Sequence, residues 1–408
     1  DIRLGSWPKK SLANIRAERD KLRTIVLDGL DPAIARKAKR IQKQKEAEEI
    51  IQQAEQERIT NLKVSDLFET WLRDGVARQN DNAELKRVFA KDVIPALGDI
   101  PLRELSEKNI LGMLRKMLNR GVVRLVVVVY NDIKQMLSWG EKRQPWRNLL
   151  VDGNPCDLID IARLLPPDYE EERERILLPD EIRELSTIFK KTELDWLNAP
   201  DRRIAKYPIA EKTQIALWLC LSTLCRIGEL LMARWEHIDF KERTWYIPRE
   251  NVKGGRGKKQ EHYVFLSDFA YHYFERLQQI TGKSEWCFPS RNRKGEDTHI
   301  CLKSISKQIG DRQVQFKIRP NPLKGRAFDN TLVLSNGANG EWTPHDLRRT
   351  GATMMQQLGV PLDIIDRCQN HVLSGSRVRR HYLHHDYRNE KTEAWRLLGE
   401  RLEEVLTT

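Results

Sequence analysis

Thr343-Pro344-His345-Asp346-Leu347-Arg348-Arg349-Thr350 reads as the start of a helix that gathers positive charge. Thr343, Pro344 and Asp346 suit the N-cap, first and third positions of that helix. His345 and Arg348, three residues apart, then share a face of its first turns. A helix N-terminus favours a phosphate, and an arginine there offers its nonbridging oxygens a fork of N–H donors. Working outward, His371 and then Tyr382 follow downstream. Upstream stands a lone arginine in an apolar run, Leu224-Cys225-Arg226-Ile227-Gly228-Glu229-Leu230-Leu231. We read residues 215–231 as one nearly all-apolar helix, which places Arg226 near a core. An unpaired buried charge is costly, so Arg226 needs a partner, and Glu229 at i+3 is in reach. By itself that pair is equally well a structural one.

The 408 residues favour two or three domains, and the net charge of +12 suits a polyanionic partner. Charge alone weighs equally for an ordinary basic protein. No run approaches the ~18 apolar residues of a membrane span, and Val122 to Val129 falls far short. No signal-peptide pattern opens the chain. It begins on Asp1 rather than Met, so natural sequence is expected to precede it. The cysteines Cys156, Cys220, Cys225, Cys287, Cys301 and Cys368 are scattered, without a Cys-x-x-Cys pair. In a chain this long they imply reduced cytosolic thiols. His381, His384 and His385 lack the carboxylate or cysteine spacing of a metal site and read as an exposed basic helix end.

Three parts are expected. Residues 1–58 hold Leu4-Gly5-Ser6-Trp7-Pro8, a short helix from Ser11, and a charged helix over 33–59 after Asp31-Pro32. Its charge reads first as a solvated face. Its early positives (Arg36, Lys37, Lys39, Arg40, Lys43, Lys45) would also serve along a nucleic-acid backbone. Residues 59–164 form a helical unit. Val64, Leu67, Phe68, Trp71 and Leu72 mark one buried stripe. A helix over 85–93 is expected to end at Pro95 and Gly98, and Ser106 caps the next. Val122 to Val129 is β-branched but flows into Ile133, Met136 and Leu137 at helical spacing, so we read it as helix. Asn154-Pro155 closes the unit. Residues 165–408 form a mixed unit. Thr244–Pro248 and His262–Leu266 are strand-like and pair as a hairpin with a mobile Gly- and Lys-rich tip. Much of 288–340 is expected to be loop. The fold class is multidomain α+β: a helical domain beside a mainly helical one with a small antiparallel sheet.

In this order, Arg226 with Glu229, Lys253 on the hairpin, His345-x-x-Arg348, His371 and Tyr382 resemble the site of the tyrosine recombinases, the integrases of phages and mobile islands. The opening Leu4-Gly5-Ser6-Trp7-Pro8 and Gly29-Leu30-Asp31-Pro32 are similar to the arm-binding domain of island-type integrases. The resemblance covers nearly the whole chain and is strongest over 215–390. It implies an arm-binding remnant and linker (1–58), a core-binding domain (59–164) and a catalytic domain with a tail helix (165–408). The two larger parts would clamp one duplex.

The resemblance further implies site-specific recombination through a covalent 3′-phosphotyrosine. Tyr382 would be the nucleophile, with Tyr387 as rival at a longer spacing from His371. Arg226 and Arg348 would offset charge on the phosphorane, and His345 and His371 would move or hold protons. Lys253 would protonate the leaving 5′ oxygen, with Lys258 and Lys259 as competitors. No cofactor, nucleotide or metal is called for. Implied partners are double-stranded attachment-site DNA, three further copies of the chain docked through the tail helix (Ala394, Trp395, Leu398, Leu402, Val405, Leu406), and a host bending protein or excisionase. The implied location is the bacterial cytoplasm and nucleoid. Two rivals stay open: a type IB topoisomerase, and a DNA-binding regulator that does not cut.

Overall fold

Ser11 starts the first helix, accepting from the Asn14 amide at 3.2 Å, and α1 spans Leu12–Leu27. Asp31 caps the second in the same way through the Ala33 amide at 2.7 Å, with Pro32 at its first position, and α2 runs over Pro32–Thr60. Ile34, Ile41, Ile50 and Ile51 of α2 are all exposed, as expected of a solvated connecting helix. The computed structural model describes all residues except 1–3, 30, 79–80, 168, 170–172, 253–259, 291–294, 318–325 and 372–385. The chain divides into two compact units, Asp1–Glu172 and Arg173–Thr408.

In the first unit, α3 (Val64–Asp74) buries Val64, Leu67, Phe68 and Trp71, the stripe its spacing predicts. The next helix does not stop at Pro95. After α4 (Ala83–Val88) the chain widens into a π-turn over Phe89–Val93 and re-forms as α5 (Ile94–Leu97), ending at Gly98. In the widened turn the Ile94 amide bonds five residues back, to the Phe89 carbonyl. That shift accommodates a proline whose missing N–H and ring would otherwise break the ladder. Phe89, carried by the turn, stacks on Phe68 with centroids 4.4 Å apart.

The short α8 (Trp146–Leu149) and α9 (Ile161–Leu164) follow the longer α6 (Glu107–Asn119) and α7 (Val123–Gly140). The valine-rich start of α7 is helical because Val126, Val129, Ile133, Met136 and Leu137 all face the core of this unit. Burial outweighs a β-propensity of at most ~1 kcal/mol. Beyond Asn154-Pro155, Cys156 and Ile159 still join this core.

The second unit is built around α11 (Glu211–Thr223), preceded by α10 (Pro179–Leu197) and buried along its whole length from Ile215 to Thr223. The single helix expected over 215–231 is instead broken. Leu224 takes a left-handed conformation at φ 56°, ψ 20°, Arg226 is extended, and α12 (Ile227–Leu231) starts anew. Two contacts hold the break. The Glu229 carboxylate accepts from the Arg226 amide at 2.9 Å, and the Thr223 carbonyl accepts from Trp395 Nε1 at 3.2 Å.

The expected hairpin is present: β1 (Ile238–Asp239), β2 (Thr244–Ile247) and β3 (His262–Phe265) form one antiparallel sheet in that order, with Trp245 opposite Val264. The hairpin tip and Lys253 lie outside the described residues. Next come α13 (Asp268–Thr281) and α14 (Ser304–Gly310), then α15 (Pro344–Gln357), α16 (Leu362–Cys368) and α17 (Arg388–Thr407). Apart from α14 and short turns, the described part of 288–340 is loop, as read from its composition.

Gly351 lets α15 lie against α11: a Cβ there would stand 2.4 Å from the Leu221 carbonyl oxygen. The tail helix α17 packs on its own unit, where Ala394, Trp395, Leu398, Leu402 and Val405 are buried in the core. The Trp395 bond to Thr223 and the fit of Gly399 against Ser267 explain why.

Candidate active site

The N-terminus of α15 is capped as its sequence predicts. Asp346 Oδ2 accepts from the Thr343 amide at 2.8 Å and from Thr343 Oγ1 at 2.9 Å. This carboxylate is fully buried and also meets Arg349 Nη1 at 2.8 Å and Arg173 Nε at 3.0 Å. The first turn of α15 is thereby tied to the irregular segment that opens the second unit. That tie is completed by the Leu177 amide donating to Thr350 Oγ1 at 2.8 Å.

Arg348, one turn in, is 3% exposed. Its guanidinium donates to the Leu224 carbonyl at 2.5 Å, to the Gln369 carbonyl at 2.5 Å and to His371 Nε2 at 3.1 Å. Both carbonyls are available because helices end there: α11 breaks at Leu224, and Gln369 closes α16. None of these three acceptors carries a formal negative charge. Among the described residues no carboxylate reaches ion-pair distance of Arg348. Burial, then the positive charge of Arg226, lowers its pKa to about 10, so it still carries its proton at neutral pH. A buried cation held by neutral acceptors is poised for an anion.

Arg226 is held by Glu229, as its spacing predicts. Nη1 donates to Glu229 Oε1 at 2.8 Å, and the carboxylate's other oxygen takes the Arg226 amide. Glu229 is buried, whereas the Arg226 side chain keeps 24% of its exposure. The geometry differs from expectation in one respect. Arg226 caps α12 rather than sitting inside a helix, which turns it outward from the core.

His345 and His371 complete the cluster. With Arg348, Arg349 and Gln369 they line one cavity of about 320 Å³. Desolvation by the surrounding protein, then the charges of Arg348 and Arg349, hold His345 below its ordinary pKa although the residue remains exposed. His371 is also lowered, first by desolvation and then by Arg348, against the opposing pull of its bond to Asp366. Both imidazoles are therefore mostly neutral at pH 7.

Of the residues read from sequence, Arg226, Glu229, His345, Arg348 and His371 are brought together. Lys253 and Tyr382 lie outside the described residues, as do Lys258 and Lys259. The rival Tyr387 is described. It caps α17 at φ 52°, and the Arg367 guanidinium lies 3.7 Å over its ring.

Sequence reading missed Asp366, whose Oδ1 meets His371 Nδ1 at 3.0 Å, and His262, whose Nε2 donates to the Cys368 carbonyl at 3.0 Å. It also missed the Leu224 and Gln369 carbonyls. No side-chain signal marks a main-chain acceptor. A break at Leu224 could have been inferred only by asking why Arg226 and Glu229 interrupt an apolar helix.

The sequence profile described as the phage integrase family matches residues 188–389. Prophage integrase IntA of Escherichia coli (strain K12) is 23% identical over 387 residues, covering 95% of this chain and 78% of that protein. The integrase of Enterobacteria phage P4 is 28% identical over 300 residues, 71% of this chain and 59% of its own length. The Tn1549 transposon integrase, solved in complex with circular intermediate DNA, superposes with a TM-score of 0.51 at 18% identity, covering 79% of this chain and 96% of that one. A lambda integrase dimer bound to a COC′ core site gives 0.53 at 14% identity, covering 81% and 79%. These structural likenesses are likenesses of fold.

Proposed function

The chain belongs to the phage integrase family of tyrosine recombinases, and from that premise we propose that it cuts and rejoins DNA at specific sites through a covalent 3′-phosphotyrosine. The observation that carries this reading is Arg348, buried, charged and, among the described residues, held by neutral acceptors beside Arg226 and two neutral histidines. Such a cluster suits a nonbridging phosphate oxygen, whose charge grows in the phosphorane.

In the proposed reaction the Tyr382 oxygen attacks phosphorus and loses its proton, with His345 placed to assist. The bond between phosphorus and the 5′ oxygen breaks, and Lys253 protonates the departing oxygen. A phenol of pKa ~10 needs surrounding positive charge to react at neutral pH, and Arg226 and Arg348 supply it. Their other role is to hold the phosphate in line for attack. The 5′ hydroxyl of a second strand then reverses the chemistry. Bond energy is conserved in the phosphotyrosine, so the scheme calls for neither ATP nor a metal ion. The packing of Tyr387 beneath Arg367 supports Tyr382 as nucleophile.

Residues 1–58 are assigned to an arm-binding piece and its linker helix, 59–164 to core-site binding and 165–408 to catalysis. Attachment-site DNA is the substrate, bound mainly through phosphate contacts and hence weakened steeply by salt. Assembly into a homotetramer on DNA is part of the same proposal. A host bending protein or excisionase would set direction, and the bacterial cytoplasm and nucleoid would be the place of action.

A nicked suicide substrate carrying the attachment site tests the reading. A covalent protein–DNA adduct followed by exchange between two duplexes is expected. Adduct without exchange would indicate a topoisomerase, and DNA binding without adduct would indicate a regulator.

A further inference from the structure

Four consecutive residues at the end of α16, Cys368 to His371, each hold a different part of the site. The Cys368 carbonyl accepts from His262, the Gln369 carbonyl from Arg348, and Asn370 Nδ2 donates to the Gln260 carbonyl at 3.2 Å. His371 meets both Arg348 and Asp366. Asn370 stands at φ 52°, in the left-handed region that asparagine tolerates. That turn brings the His371 amide back to the Asp366 carbonyl at 2.9 Å. Asp366 therefore binds His371 twice, through its main chain and through its carboxylate.

The two ring contacts determine where the imidazole proton sits. A guanidinium only donates, so the nitrogen facing Arg348 at 3.1 Å must accept and Nε2 is bare. The proton is on Nδ1, where the Asp366 carboxylate takes it at 3.0 Å. A carboxylate on one imidazole nitrogen fixes tautomer and ring orientation and stabilises the imidazolium when the other nitrogen gains a proton. Three charges face this ring from the described elements around it: Asp366 of α16, Arg348 of α15 and Arg226 at the start of α12.

We propose that Asp366 is a positioning residue for strand transfer: its carboxylate holds His371 as the Nδ1–H tautomer, with Nε2 aimed to take a proton and donate it to a nonbridging oxygen of the scissile phosphate. The inference rests on the recombinase reading given above. On phosphate binding Arg348 turns donors to the anion, Nε2 is released and protonated from solvent, and the Asp366–imidazolium pair contributes a donor at the phosphate.

Long-range 1H–15N spectra of the full chain, with His371 assigned by its loss in His371→Gln, read the tautomer without any DNA cleavage. The Nδ1–H form is expected in the parent protein. In Asp366→Ala it is expected to give way to the Nε2–H form, with a lower imidazole pKa. Asp366→Asn keeps an acceptor in place, so it should retain the tautomer while still lowering the pKa, and it guards against a folding failure of the alanine variant. Single-turnover cleavage should fall roughly 10- to 100-fold in Asp366→Asn at neutral pH. Its high-pH limb should move to lower pH, and Asp366→Glu should restore part of the rate.

An Nε2–H tautomer in the parent protein, or unchanged spectra in Asp366→Ala, would overturn the inference. So would an active parent whose pH limb does not move in Asp366→Asn. If the parent shows the Nδ1–H form yet makes no adduct on any substrate, the tautomer assignment stands and it is the recombinase reading that fails.

Discussion

The Leu224 carbonyl accepts a hydrogen bond from Arg348 Nη1 at 2.5 Å, across 124 residues of sequence. It can do so only because the chain turns left-handed at Leu224 and ends α11 there. The carboxyl end of a helix carries partial negative charge, so it steadies a cation without cancelling it.

Arg348→Lys keeps the charge but loses the planar fork that spans the Leu224 and Gln369 carbonyls. Adduct formation should drop by about 10²–10³-fold, the scale of losing one preorganised donor. Buried carbonyls left without donors should cost about 1–3 kcal/mol of stability. Adduct yield and chemical denaturation check the two effects separately.

Tyr382→Phe should abolish the adduct while leaving DNA affinity within about twofold, since only the nucleophilic oxygen is removed. Tyr387→Phe keeps the ring on which Arg367 rests and should retain adduct formation. Survival of the adduct in Tyr382→Phe together with its loss in Tyr387→Phe would reverse the assignment.

Glu229→Ala removes the acceptor for both the amide and the guanidinium of Arg226. Because Arg226 stays partly exposed, the cost should sit at or below the usual ~3 kcal/mol of a broken buried pair. A lower melting temperature and slower cleavage are expected together. Normal cleavage by the folded variant would show that Arg226 needs no such support.

His262 is buried, and burial, aided by the nearby Lys391 charge, lowers its pKa from 6.5 to about 3. The unfolded chain therefore binds a proton at pH values where the folded chain does not. The contribution is fully present above pH 6.5 and is lost as the solution is acidified toward pH 3, by about 1.4 kcal/mol per pH unit. Denaturation from pH 7 to pH 4 should show that slope, and His262→Gln should reduce it by the equivalent of one proton.

Gly351→Ala would push a methyl group against the Leu221 carbonyl oxygen, a main-chain atom that cannot swing aside. Destabilisation of about 1–3 kcal/mol is expected. Thermal unfolding of the variant measures it.

The charged side chains of the site were legible because their spacing carried them: Thr343 to Asp346 as a capping box, His345 with Arg348 on one face, and Glu229 at i+3 from Arg226. Helix positions were legible wherever apolar periodicity was strong, as in Val64 to Trp71. Three features were not. The break at Leu224 depends on contacts with Arg348 and Trp395, both far along the chain. The passage through Pro95 depends on a π-turn that no residue type announces. The apolar face of α17 looked the same whether it packed at home or on a neighbour, and its packing at home rests on the pairing of Trp395 with Thr223.

That last bond has a consequence for the timing of synthesis. Thr223 immediately precedes the residue whose carbonyl holds Arg348, and it is secured by an indole emitted from the ribosome long after every other described part of the site. Domains fold as they emerge, amino end first. A nascent chain can therefore have its first unit folded while the carbonyl cradle still lacks its last brace. On the proposed function, the final helix would then brace the carbonyl that holds Arg348 before strand cutting and rejoining begin.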